Sequence, residues 1–117
     1  MASKPTQRTL AHLRKEGYTV AIAEKFNSFI KVRQDLFGWI DICAIHPDKQ
    51  GVLGVQTTST SNLPARITKA MALDSLKVWL QAGNRASFMG WAKRGARGKR
   101  KLWTLKEQEI TLEDIKN

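Results

Sequence analysis

The sequence predicts an α/β domain in the order αβββαβ with one further strand at the end. Three observations point there: an alternating apolar run at residues 18–24, a continuous apolar run at 39–45, and helically spaced apolar residues before and after the first three strands. Pro5, Leu10 and Leu13 three apart, and Gly17 just past the end predict a helix over residues 5–16. Residues 18–24 (YTVAIAE) alternate with period 2, setting Tyr18, Val20, Ile22 and Glu24 on one face of a strand. Residues 25–38 (KFNSFIKVRQDLFG) have no regular period and read as an extension or turn. Residues 39–45 (WIDICAI) are apolar on both faces but for one charge, as a central strand requires. HPDKQG at 46–51 supplies turn chemistry, so 52–59 return as a third strand antiparallel to the second.

After the break SNLP at 61–64, residues 64–82 read as one helix or two abutting helices. Leu73, Leu76, Trp79 and Leu80 form its apolar stripe and Gly83 its stop. Residues 85–92 and 101–110 give the fourth and fifth strands, and TLEDIKN a final helical turn.

With 117 residues and no repeat, low-complexity tract or linker, residues 1–117 are expected to form a single domain with its own core. One cysteine, Cys43, excludes an internal disulfide, and His12 and His46 have no cysteine partners at zinc-ligand spacing. A reducing setting fits, and no run of apolar residues is long enough for a signal peptide or a membrane span, so a soluble cytoplasmic protein is expected. Lys and Arg outnumber Asp and Glu by 20 to 10, a net charge of +10. The excess is uneven: eight basic and five acidic groups in residues 1–59, twelve and five in 60–117. Such an imbalance suggests a polyanionic partner, nucleic acid before an anionic membrane surface, with solubility as the bland alternative.

Asp41 is the only charge in WIDICAI, and a carboxylate in a buried strand is costly unless it is paired or binds a cation. Glu24 raises the same question on the face of Val20 and Ile22. Gln56 and Thr58, two apart, bring polar groups to one face of the third strand. Asp41, Glu24 and the Gln56 amide oxygen, with Asp35 in the turn before the second strand, are candidate hard-oxygen ligands for Mg²⁺. The alternatives are an ion pair of Asp41 with Arg33, a solvated strand end for Glu24, and backbone partners for Gln56 and Thr58.

The αβββαβ order, the G-x-x-D step Gly38-Trp39-Ile40-Asp41 and the polar-x-polar step Gln56-Thr57-Thr58 together resemble the PD-(D/E)XK nuclease superfamily. The likeness is greatest to its small Holliday-junction-resolvase-like and phage members, over residues 8–92. The resemblance implies a restriction-endonuclease-like core, a mixed central sheet flanked by helices. It also implies Mg²⁺-dependent DNA hydrolysis, with Mn²⁺ as a substitute, on branched or structured DNA in a bacterial or phage-infected cell.

On that resemblance Asp41 falls on the metal-binding aspartate, Gln56 on the (D/E) position and Thr58 on the lysine position. Glu24 stands for the acid near the first helix and strand. Glutamine removes a negative charge from the pattern and threonine removes a cation. Lys69 and Arg66, three apart on one helix face, can reach back in its place, Lys69 as the catalytic substitute; alternatively they are phosphate contacts or solvated charges. Resolvase-like members pair two active sites, so a homodimer through an exposed Trp39 or Phe37 is expected.

Residues 91–103, WAKRGARGKRKLW, place six basic residues (Lys93, Arg94, Arg97, Lys99, Arg100, Lys101) and two glycines between tryptophans. A flexible basic loop can track a phosphate backbone without reading sequence. Trp91 and Trp103 read as core residues on flanking strands, with base stacking as the alternative. Two rival functions remain: a catalytically inactive DNA-binding protein that keeps the nuclease fold, and an interaction factor that docks its basic loop on an acidic partner.

Overall fold

The computed structural model describes residues 4–115. Residues 1–3 and 116–117 and the side chains of Phe26, Asn27 and Arg33 lie outside that description, and with them the pairing of Asp41 with Arg33. The chain begins with helix α1 (Lys4–Lys15). Strands β1 (Thr19–Ile22), β2 (Lys25–Asn27), β3 (Val32–Gln34), β4 (Ile42–His46) and β5 (Lys49–Ser59) follow. A 3₁₀ turn (Thr60–Asn62) leads into α2 (Leu63–Met71) and α3 (Asp74–Gln81), and β6 (Arg85–Arg94), β7 (Leu102–Ile110) and α4 (Leu112–Ile115) complete the domain.

Five strands form a mixed sheet in the order β1-β4-β5-β6-β7, in which only the β5–β6 pair is parallel. That one parallel pair requires a crossover, supplied by α2 and α3. Helix α1 covers one face, where Leu10, Leu13 and Tyr18 pack on Ile42, Leu53, Val55 and Met89. On the other face Leu63, Ile67, Leu76 and Leu80 pack on Trp39, Ile40 and Phe88. No helix among the described residues is long and apolar enough to cross a membrane.

Several elements differ from the sequence expectation. The middle strand of the five is β5, whose residues 53–58 are all buried, with β4 beside it as a second interior strand. The run expected to be central enters the sheet only at Ile42; Trp39 and Ile40 precede it in a tight turn. The connection to β5 is also shorter, since His46 already pairs with Lys49. Residues 25–38 are ordered as a β2–β3 hairpin followed by a second, smaller turn closed by a Leu36–Ile40 bridge. Strand β1 lies at the sheet edge, which leaves Ile22 46% exposed. Of the two readings of residues 64–82, the structure has the two abutting helices, with Leu73 as the N-cap of α3.

Trp39 is 0% exposed, so it cannot form a subunit contact, while Phe37 is exposed. Trp39 lies against Gly54 of β5, stacks on Phe88 at 5.7 Å and meets Trp79 edge-on at 5.8 Å. A Cβ at Gly54 would come within 2.8 Å of the Trp39 ring and 3.1 Å of the Trp79 ring. Gly54→Val is therefore expected to destabilise the fold by about 1–3 kcal/mol through overpacking. Urea denaturation measures the loss, and an unchanged midpoint would mean that the Trp39 seat adapts freely.

Candidate functional site

Two successive turns of chain bring the acidic residues together. In the β2–β3 hairpin the outermost rung pairs Lys25 with Gln34, so Glu24 and Asp35 flank its open end. The Leu36–Ile40 bridge closes the next turn, with positive φ at Phe37 (56°) and Gly38 (87°), and Asp35 and Asp41 flank that bridge. Mirror-image turns need this backbone at both central positions. Carboxylate oxygens of Glu24, Asp35 and Asp41 consequently lie within 4.8 Å of one another.

Backbone bonds tie the cluster to the sheet. Ala23 N–H donates to the Asp41 carbonyl at 2.8 Å, and Asp41 N–H donates to the Val55 carbonyl at 2.9 Å. The Asp41 carboxylate accepts the Thr57 N–H at 2.9 Å, and Gln56 Nε2 donates to Asp35 Oδ2 at 3.2 Å. Gln56 thus reaches the cluster through Asp35. The far side of Thr57 is also held: Trp91 Nε1 donates to Thr9 Oγ1 at 2.9 Å, which lies 2.7 Å from Thr57 Oγ1. The Thr9 hydroxyl accepts from Trp91 and shares a second hydrogen bond with the Thr57 hydroxyl, locking α1 onto β5 and β6 beside the acids.

The cluster opens into a cavity of about 760 Å³ lined by Glu24, Asp35 and Asp41 together with Thr6, Thr57, Arg66 and Lys69. Arg66 and Lys69, named from their spacing on α2, both reach this wall. Thr58 is buried, and it is the adjacent Thr57 that lines the cavity. Thr6, Thr9 and Thr57 were not singled out in the sequence. Their signal is two threonines three apart among the buried leucines of α1, where an apolar stripe needs no hydroxyls.

The six cations of residues 93–101 are exposed at and beyond the ends of β6 and β7. Trp91 is half-buried, but Trp103 is 45% exposed and does not belong to the core. The Arg8 guanidinium lies 3.5 Å above its ring, and Lys93 Nζ lies 5.5 Å away. Stacked cations satisfy the ring in place of a packed interior.

Burial pushes the Asp41 carboxyl up to about 8; a hydrogen bond with Asp35 and the charges of Asp35 and Glu24 add to the rise, and the Thr57 N–H opposes it. Three carboxylates this close cannot all ionise without a compensating cation. A divalent ion that prefers hard oxygen ligands fits the donor set of Glu24, Asp35 and Asp41. Comparison of the chain with protein-family models, with curated proteins and with solved structures finds no match.

In metal-free buffer the folded chain keeps the Asp41 proton up to about pH 8, whereas the unfolded chain loses it near 3.8. The native state then binds more protons across that interval, so stability falls as pH rises from about 4 to about 8 and levels off above. Asp41→Asn retains an acceptor for the Thr57 N–H and cannot ionise. Chemical denaturation with EDTA is expected to show a flatter pH dependence for the variant and greater stability than wild type near pH 8. The same slope in both proteins would assign it to other groups.

Proposed function

We propose that the chain is a metal-dependent endodeoxyribonuclease with a PD-(D/E)XK-type core that hydrolyses phosphodiester bonds in branched or otherwise structured DNA. The observation that carries this reading is the meeting of Glu24, Asp35 and Asp41 beside β5, in a cavity also lined by Arg66 and Lys69. Acids and cations in one cavity match what a phosphodiester under attack requires: anionic ligands for a metal and positive groups for the phosphate.

Asp41, Glu24 and Asp35 would hold Mg²⁺, or Mn²⁺ in its place. When bound, such an ion lowers the pKa of its water and neutralises charge growing on the phosphate. The protein's own groups fix the geometry. Thr57 N–H orients the Asp41 carboxylate, and the Gln56 amide orients Asp35. Lys69 and Arg66 bind the non-bridging phosphate oxygens, and Lys69 supplies the cation that Thr58 does not. The exposed basic loop, through Lys93, Arg94, Arg97, Lys99, Arg100 and Lys101, follows the flanking backbone and adds affinity without base recognition.

A second reading, a catalytically inactive DNA-binding protein on the same fold, draws on Gln56. An amide stands where the family pattern has an acid, and its N–H is engaged by Asp35.

Labelled four-way-junction, flap, single-stranded and linear duplex DNA with Mg²⁺ or Mn²⁺ separate the two. The junction or flap is expected to be cut, and Asp41→Asn to reduce the rate more than about a hundred-fold, since even indirect ligand contacts are worth 10–100-fold. Salt-sensitive binding without cutting in either metal would leave the inactive reading. Removing three loop cations together (Lys99→Ala, Arg100→Ala, Lys101→Ala) is expected to reduce the slope of log affinity against log salt by roughly 2 to 3. An unchanged slope, measured by fluorescence anisotropy, would take the loop out of the DNA interface.

A further inference from the structure

We infer that the β2–β3 hairpin is a wedge that enters an opened base step of the bound DNA, which makes DNA with an unstacked or branch-point step next to the scissile phosphate the substrate. This deepens the nuclease reading and rests on it for the identity of the polymer. The hairpin's base and tip have different chemistry. Its base is flanked by Glu24 and Asp35, two members of the acidic cluster. At its tip Phe29 is 96% exposed and Ile30 57% exposed.

Single exposed apolar side chains are ordinary on a protein surface. An adjacent aromatic and aliphatic pair at the end of a projecting ribbon, anchored at the acids, is a concentrated apolar tip beside a polar site. Lys25 and Lys31, both exposed, place cations on the same ribbon. Apolar side chains between cationic ones suit a nucleic acid, whose base faces are apolar and whose rim is anionic. Inserted side chains of this kind part stacked bases and kink the duplex, and aromatic rings stack on the bases they free. A second copy of a chain carrying +10 is a poor occupant because the two would repel.

Three paired rungs at about 3.3 Å per residue, with the turn, put the tip roughly 10–13 Å from the acids. That span equals at most about four base steps of about 3.4 Å each. Cutting is therefore expected within about four nucleotides of the opened step.

The test uses the full chain and a four-way junction carrying 2-aminopurine at the branch point. Fluorescence is read in EDTA, and cleavage is then read on the same complexes after Mn²⁺ is added. Wild-type binding is expected to raise the fluorescence as the base leaves its stack. In the double variant Phe29→Ser, Ile30→Ser the rise should vanish and junction affinity fall about ten-fold, the scale of losing one stacked base. Affinity for perfect duplex should be unchanged, and the melting temperature should change little, because both side chains lie on the exposed surface outside the core. A rise of equal size in the variant would overturn the wedge. So would equal loss of affinity on duplex and junction, or a wild-type dimer in sedimentation that the variant breaks while the rise persists. Fluorescence change without cutting would sink the nuclease reading and leave the wedge; cutting without a fluorescence change would do the opposite.

Discussion

Carboxylates crowded at the margin of a buried sheet must be relieved by a proton or by a cation, and that requirement organises the surrounding chain. Asp41 is 6% exposed, so water cannot screen it from Asp35 and Glu24. Without metal the strain is met by retaining a proton well above the usual carboxylate range. The adjoining groups each limit the cost: a backbone N–H on Asp41, an amide on Asp35, and two cationic side chains on the same cavity wall. A site arranged in this way keeps its acids in position while their charge varies.

The geometry is held from the opposite direction by Trp39. Its ring fills the notch left by Gly54 and stacks on Phe88, which fixes the chain two residues before Asp41. Among the described residues its buried indole N–H has no hydrogen-bond partner, so packing accounts for its place. Helix α3 braces the same turn: Ser75 Oγ donates to the Phe37 carbonyl at 2.6 Å, and Gly38 lies against Leu73. The second turn of the site is thus attached both to the sheet and to the helical layer, whereas β2 and β3 pair with each other alone.

The layout of the sheet was legible because its main strands and helices carry full periods of apolar residues. Glu24, Asp35 and Asp41 stood out for a related reason, being charges within or beside segments that otherwise read as core. The two turns that assemble them were not legible. Strands of three residues are too short for alternation to register, and the left-handed positions fall on Lys31 and Phe37, residues that do not announce such a backbone. Trp39 was misplaced because a continuous apolar run reads as one strand even where its first residues lie in a tight turn. Trp103 was misread because apolar character alone does not distinguish a core ring from one covered by Arg8. The threonine relay through Thr9 and Thr57 depends on contacts 48 residues apart in sequence, which no local pattern encodes.

The hairpin that carries Glu24 and Asp35 at its base forms a two-stranded sheet of its own, beside the five-stranded one. The Lys25–Gln34 rung stands next to the acids, and the Asn27–Val32 rung next to the tip. A change of length beyond the Asn27–Val32 rung therefore leaves every ladder of the five-stranded sheet in register. The fold is modular in this sense: one short stretch of chain can be shortened or extended by small insertions while the main sheet is inherited unchanged.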